Sequence, residues 1–175
     1  MKSWMKTSLL VLFAVGVLAW AAADPVVDGT VSAGEYAHSQ ALLGGKVTLW
    51  YQQDGSGGLW IGLVGKARGY VGVGLGSRDM NGSTIYFVFK DKNGNAVYSE
   101  ETGKGHGHAK AEVATTDSQA TSIDADTITL EFHLPADKVP VADHSLDYIV
   151  AYSDSPDPTS WHGFFNKTRG RLTLE

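Results

Sequence analysis

The sequence contains no cysteine. That excludes disulfides, thiolate zinc sites, iron–sulfur clusters, a cysteine nucleophile, covalent c-type haem attachment and a lipoprotein anchor. Methionine is scarce, at 3 residues. Positive charge is in deficit, with 14 Lys+Arg against 19 Asp+Glu and a net charge of −5, which argues against nucleic acid as a partner. There is no internal repeat, no low-complexity tail and no linker long enough to divide the chain. What is abundant is glycine, at 21 residues. A length of 175 residues fits one domain, or one domain plus a targeting segment.

The first residues read as that targeting segment. Lys2 and Lys6 form a positive start, Leu9 to Trp20 is apolar apart from Gly16, and Ala21-Ala22-Ala23 precedes Asp24-Pro25. The pattern is that of a secretory signal peptide, residues 1–23, cut after Ala23. The apolar run is shorter than the roughly 20 residues of a spanning helix, so no stable membrane span is expected after cleavage. The product, residues 24–175, is then expected to be secreted or periplasmic. Cleavage also removes Met1 and Met5 and leaves Met80 as the only methionine.

The remainder reads as all-β. Short apolar or alternating runs recur between turn signals. They are Val47–Gln53, Leu59–Val64, Tyr70–Leu75, Ser83–Lys90, Ala109–Thr115, Thr127–Leu134, Tyr148–Tyr152 and Arg171–Leu174. Asn93-Gly94 between Phe89 and Val97 predicts a hairpin, because that dipeptide tolerates the positive φ angles of a tight turn. Eight to eleven strands suit an antiparallel sandwich or barrel.

One strand has an unusual face. In Tyr70–Gly76, Val71, Val73 and Leu75 alternate with Gly72, Gly74 and Gly76. One face is therefore aliphatic and the other bare, at a cost in strand stability. A flat ligand or a second backbone lying close would compensate, and so would a tight sheet crossing or a bulge. A dinucleotide-binding fingerprint is excluded, because no helix follows. Val71, Val73, Leu75, Ile85, Phe87 and Phe89 are candidate sandwich core.

Met80 stands in the polar connection Ser77-Arg78-Asp79-Met80-Asn81-Gly82. Its thioether is a soft ligand for haem iron or copper, or else a gap-filler under the sandwich. Six histidines offer partners. His38 and His144 read as surface residues and His133 as a residue on a sheet face. His106 and His108, in Gly105-His106-Gly107-His108, would point the same way if extended, as a copper or zinc pair does; otherwise they sit in a flexible glycine-rich loop. His162 lies in Trp161-His162-Gly163, where it would suit the rim of a flat pocket. Asp91, Asn93 and Asn95 lack the glycine and glutamate of an EF-hand and belong to the hairpin.

These features, taken in order, resemble the DOMON domain in its b-type cytochrome version, as found in cellobiose dehydrogenase. The opening Val27-Asp28-Gly29-Thr30 to Glu35-Tyr36 is similar to the family's start. Tyr70 to Gly76 with Met80-Asn81-Gly82-Ser83 is similar to its central motif. Trp161-His162-Gly163 followed by Arg169-Gly170-Arg171-Leu172-Thr173-Leu174 is similar to its C-terminal motif. The resemblance implies an immunoglobulin-like antiparallel β-sandwich holding one haem b, with Met80 and His162 as axial ligands and His106 or His108 as competitors. Gly72, Gly74, Tyr70 and Trp161 would line the cofactor. It implies an electron-transfer domain that is not an enzyme by itself and that serves a separate redox partner protein. Related domains without haem bind sugars. The alternative is therefore a carbohydrate-binding module using Trp50, Trp60 and Trp161 toward a glycan.

Overall fold

The computed structural model describes residues 23–155, 157, 162–163 and 165–174. Eleven strands form two antiparallel sheets packed face to face. The strands are β1 (His38–Leu42), β2 (Val47–Gln53), β3 (Leu59–Lys66), β4 (Tyr70–Leu75), β5 (Thr84–Lys90) and β6 (Ala96–Lys104). They continue with β7 (Gly107–Lys110), β8 (Ser118–Asp124), β9 (Thr127–Leu134), β10 (Ser145–Ser153) and β11 (Lys167–Thr173). The first sheet has the order β1-β2-β3-β9-β8 and the second β11-β10-β4-β5-β6-β7. This is the expected all-β sandwich.

Alternation decides which residues meet between the sheets. Leu49, Ile61, Leu63, Leu130 and Phe132 of the first sheet face Val71, Val73, Leu75, Tyr86, Val88 and Val150 of the second, all buried in one cluster. Burying such side chains contributes about 25 cal/mol per Å² of apolar surface. The Tyr86 ring stacks on Phe132 across the layers, with centroids 4.4 Å apart.

The register of β5 corrects one expectation. Phe87 pairs with Gly72, Ile85 with Gly74 and Phe89 with Tyr70, so these three side chains point out of the sandwich. Tyr86 and Val88 take the core positions instead. The run Ile85–Phe89 is apolar throughout, and a run without alternation does not tell its faces apart. β7 also starts earlier than the predicted Ala109–Thr115, and the edge strands β1 and β8 had no apolar signature. Their sequences, HSQAL and SQATSID, are mostly polar because only one edge of each is paired.

The N-terminal segment straps the outer face of the first sheet. Its anchor is Glu131 on β9, which is fully buried. The Glu131 carboxylate accepts hydrogen bonds from the amides of Gly29 (2.8 Å), Thr30 (2.9 Å) and Asp28 (3.3 Å), and from the Tyr36 hydroxyl (2.8 Å). Gly62 makes room for this strap, since a Cβ there would lie 3.0 Å from Val31 and 3.1 Å from the Tyr36 ring. Burial pushes the Glu131 carboxyl above its ordinary value, and the Tyr36 and Gly29 hydrogen bonds pull against that rise.

His133, on the same outer face, is clamped rather than loosely surface-bound. Its Nε2 lies 2.9 Å from Asp54 Oδ2, its Nδ1 lies 2.9 Å from Asp117 Oδ1, and its ring rests 4.0 Å from Trp60. Burial alone would push the Asp54 carboxyl up. Hydrogen bonds from Ser56, His133 and Gly58 outweigh burial and bring it from 3.8 to about 2. A depressed carboxylate stabilises the fold above its ordinary value, and that contribution is lost as pH falls through about 2. Asp54→Asn is therefore expected to cost about 1–2 kcal/mol at pH 6 and markedly less at pH 2. Urea unfolding of both chains at the two pH values checks this; an unchanged gap would contradict it.

Candidate functional site: the outer face of the second sheet

Strands β4, β5 and β10 turn a second apolar surface outward. Tyr70, Ile85 and Phe87 are buried although none belongs to the cluster between the sheets. Phe87 is the hub of this face. Its ring meets Phe89 at 5.5 Å, Tyr70 edge-on at 6.4 Å and His108 edge-on at 5.6 Å. A groove of about 420 Å³ opens beside it, with Phe87, Phe89, Val97, Glu101, His108 and Lys110 among its walls. Neither Met80 nor His162 is among its walls.

Gly72 and Gly74 lie on this face, and the structure gives them a specific duty. A Cβ on Gly72 would lie 2.7 Å from Phe87 Cβ, and one on Gly74 would lie 2.7 Å from Ile149 Cγ1. The missing side chains thus let Phe87 and Ile149 close over β4 from either side. The surface offered to a ligand is made by these neighbours, with the glycines beneath them.

Tyr70 holds the start of β4. Burial pushes its phenol up to about 12, partly offset by a hydrogen bond with the Ser153 side chain. Ser153 is also where β10 ends and the connection 154–166 begins. His162 lies in that connection and is half-buried. Its Nδ1 is 2.9 Å from the Gly163 carbonyl oxygen. A carbonyl only accepts, so Nδ1 is the donor in this contact. Trp161 lies outside the described residues.

Met80 stands at the other end of β4, in the connection to β5, and is half-buried. The turn Met80–Ser83 closes with the Ser83 amide donating to the Met80 carbonyl (3.1 Å). Gly82 adopts φ +83, which suits glycine in such a turn. The Ser83 hydroxyl, almost fully buried, donates to the Asp79 carbonyl (2.7 Å). Arg169 of β11 reaches across to Asp79 Oδ1 (3.0 Å). Asn81 Oδ1 accepts from the Gly105 amide (2.9 Å), which ties the loop to the β6–β7 hairpin.

That hairpin separates the two neighbouring histidines. Lys104 pairs with Gly107, so Gly105 and His106 form the turn and His106 is exposed. His108 is on β7, half-buried, with Nδ1 against the Glu101 carboxylate. The segment is not extended through both residues, and the shared direction expected of an extended metal pair is lost. Among the described residues no cluster of three or more His, Cys, Asp or Glu side chains is placed to hold a metal ion. On the opposite sheet, Trp50 lies 6.4 Å from the Tyr36 ring and Trp60 lies tilted against His133 at 4.0 Å, so both indoles already have aromatic neighbours within the chain.

The fold defines the class: an antiparallel β-sandwich of a five-stranded and a six-stranded sheet. The chain is similar to the cytochrome domain of Myriococcum thermophilum cellobiose dehydrogenase, at 14% identity over 74% of this chain and 75% of that one, with a TM-score of 0.52. It is similar also to the cytochrome b domain of pyranose dehydrogenase from Coprinopsis cinerea, at 12% identity over 77% and 80%, with a TM-score of 0.57. A family 9 carbohydrate-binding module from Caldicellulosiruptor kristjanssonii aligns at 12% identity over 87% and 92%, with a TM-score of 0.47. No family model and no curated protein sequence matches the chain. At these identities the likeness is one of fold.

Proposed function

We propose that this protein is an exported haem b domain that carries electrons, with Met80 and His162 as axial ligands. The observation that carries the reading is the buried apolar face outside the core, with a thioether at one end of β4 and an imidazole in the segment that leaves the other end. The donor set fits haem b: one soft sulfur, one imidazole nitrogen, and no cysteine for covalent attachment. Both cytochrome-domain neighbours have this sandwich, which supports the same reading.

Haem would supply an iron that takes up and releases one electron, and the Met80 sulfur and a His162 nitrogen would hold it. Every other part falls to this chain. Phe87, Ile85 and Ile149 would exclude water from the flat ligand. Met80 would favour the ferrous state and raise the potential.

The domain is proposed to work without catalysis of its own, handing electrons to a separate protein outside the cytoplasm. No helix among the described residues is long and apolar enough to cross a membrane. Titrating haem into the apo chain and following absorbance tests the reading. One haem per chain with saturable binding is expected; no uptake would overturn it.

A further inference from the structure

Met80 stands in a polar loop, and a thioether ligand needs its loop fixed. We infer that Gly103 on β6 is the seat that positions Met80, and that the buried Ser83 hydroxyl is the latch that keeps it there. This rests on the haem reading above and names the residues on which it depends.

The seat is defined by sterics. A Cβ built on Gly103 would fall onto the Met80 carbonyl oxygen and come within 3.4 Å of its Cγ. The Gly103 amide donates to the Ser83 carbonyl (2.9 Å), and the Gly103 carbonyl accepts from the Gly82 amide (3.3 Å). These two bonds extend the β5–β6 ladder one pair beyond Thr84–Thr102. Met80 is thereby pressed flat on the end of β6, and only a residue without a side chain leaves room for it. Gly103 is not among the glycines with positive φ, so its own backbone conformation suits alanine. Its one conflict is with Met80.

The latch acts from below. The Ser83 hydroxyl holds the Asp79 carbonyl at 2.7 Å and approaches the Ser77 carbonyl at 3.4 Å. Asp79 in turn accepts from Arg169, and its amide donates to the Ser77 hydroxyl (3.1 Å). The residue before Met80 is thus tied at its amide, carbonyl and side chain. The Met80 backbone is set from both sides, by Ser83 before β5 and by Gly103 across the strand pair.

The test uses Gly103→Ala, which adds bulk, and Ser83→Ala, which removes a bond without adding any. In the full chain labelled at the methionine methyl groups, Met1 and Met5 are the only other signals. Met80→Leu assigns the Met80 line. In apo protein both variants are expected to move or broaden that line. Loaded with haem, both are expected to show a population without the sulfur bond, a lower potential and haem affinity reduced about 10- to 100-fold. A Met80 line and a haem spectrum identical to wild type in both variants would overturn the inference. Should wild type take up no haem, the haem reading fails by itself. The methyl line of apo protein still decides whether Gly103 and Ser83 place Met80.

Discussion

Glu131→Ala is expected to destabilise the protein by about 3–5 kcal/mol, since each buried donor left unsatisfied costs about 1–3 kcal/mol and the lost side chain leaves a cavity. Three backbone amides and the Tyr36 hydroxyl converge on this one carboxylate. Truncation leaves the buried Gly29 amide and Tyr36 hydroxyl with no acceptor, while the Thr30 amide keeps the Asp28 side chain (2.8 Å), and it opens a cavity beneath the strap. Total stabilities are about 5–15 kcal/mol, so the variant sits near unfolding. Glu131→Gln keeps an acceptor oxygen for the amides, while Tyr36 can accept from the new NH2, and a cost of about 1–2 kcal/mol is expected. Burial raises the Glu131 carboxyl, so its contribution favours the fold at low pH and shrinks as pH rises through the raised value. That direction is opposite to Asp54. Urea unfolding of the two variants checks the ranking; equal costs, or a loss below about 1 kcal/mol for alanine, would show that the strap is held by something else.

The second large effect concerns the cofactor. Met80→Ala and His162→Ala are each expected to convert a six-coordinate haem spectrum to a five-coordinate one. Each should lower haem affinity by at least the roughly 10- to 100-fold typical of outer-shell changes. The double variant is expected to hold no haem at the same concentration. His106→Ala/His108→Ala is expected to keep the wild-type ligation, since His106 stands in an exposed turn and His108 is tied to Glu101 beside Phe87. Loss of the six-coordinate spectrum in that pair, with His162→Ala unchanged, would move the second ligand to the hairpin.

The parts of the fold legible in the sequence were those with a period. Val47–Gln53, Tyr70–Leu75 and Thr127–Leu134 alternate or run apolar between turn residues, and each is a strand. β1 and β8 escaped because edge strands bury little and carry polar residues. The outward face of β5 escaped because Ile85–Phe89 is apolar on both sides, so only the pairing with Gly72 and Gly74 tells Phe87 from Tyr86. Met80 stood out as a lone methionine in a polar loop, whereas His162 was singled out by the resemblance carried by Trp161-His162-Gly163. Their supports did not. Gly103 is 23 positions from Met80 and reads as a hairpin glycine until β6 is laid beside the loop. Glu131 looks like the solvent-facing member of a strand until the N-terminal segment is laid over it.

The central claim is that one haem is held between the Met80 sulfur and a His162 nitrogen. Magnetic circular dichroism of the haem-loaded wild-type chain, oxidised and reduced, tests it most directly. A low-spin six-coordinate iron with one sulfur and one nitrogen axial ligand in both states is the expected result. A five-coordinate iron, or two nitrogen ligands, would contradict it.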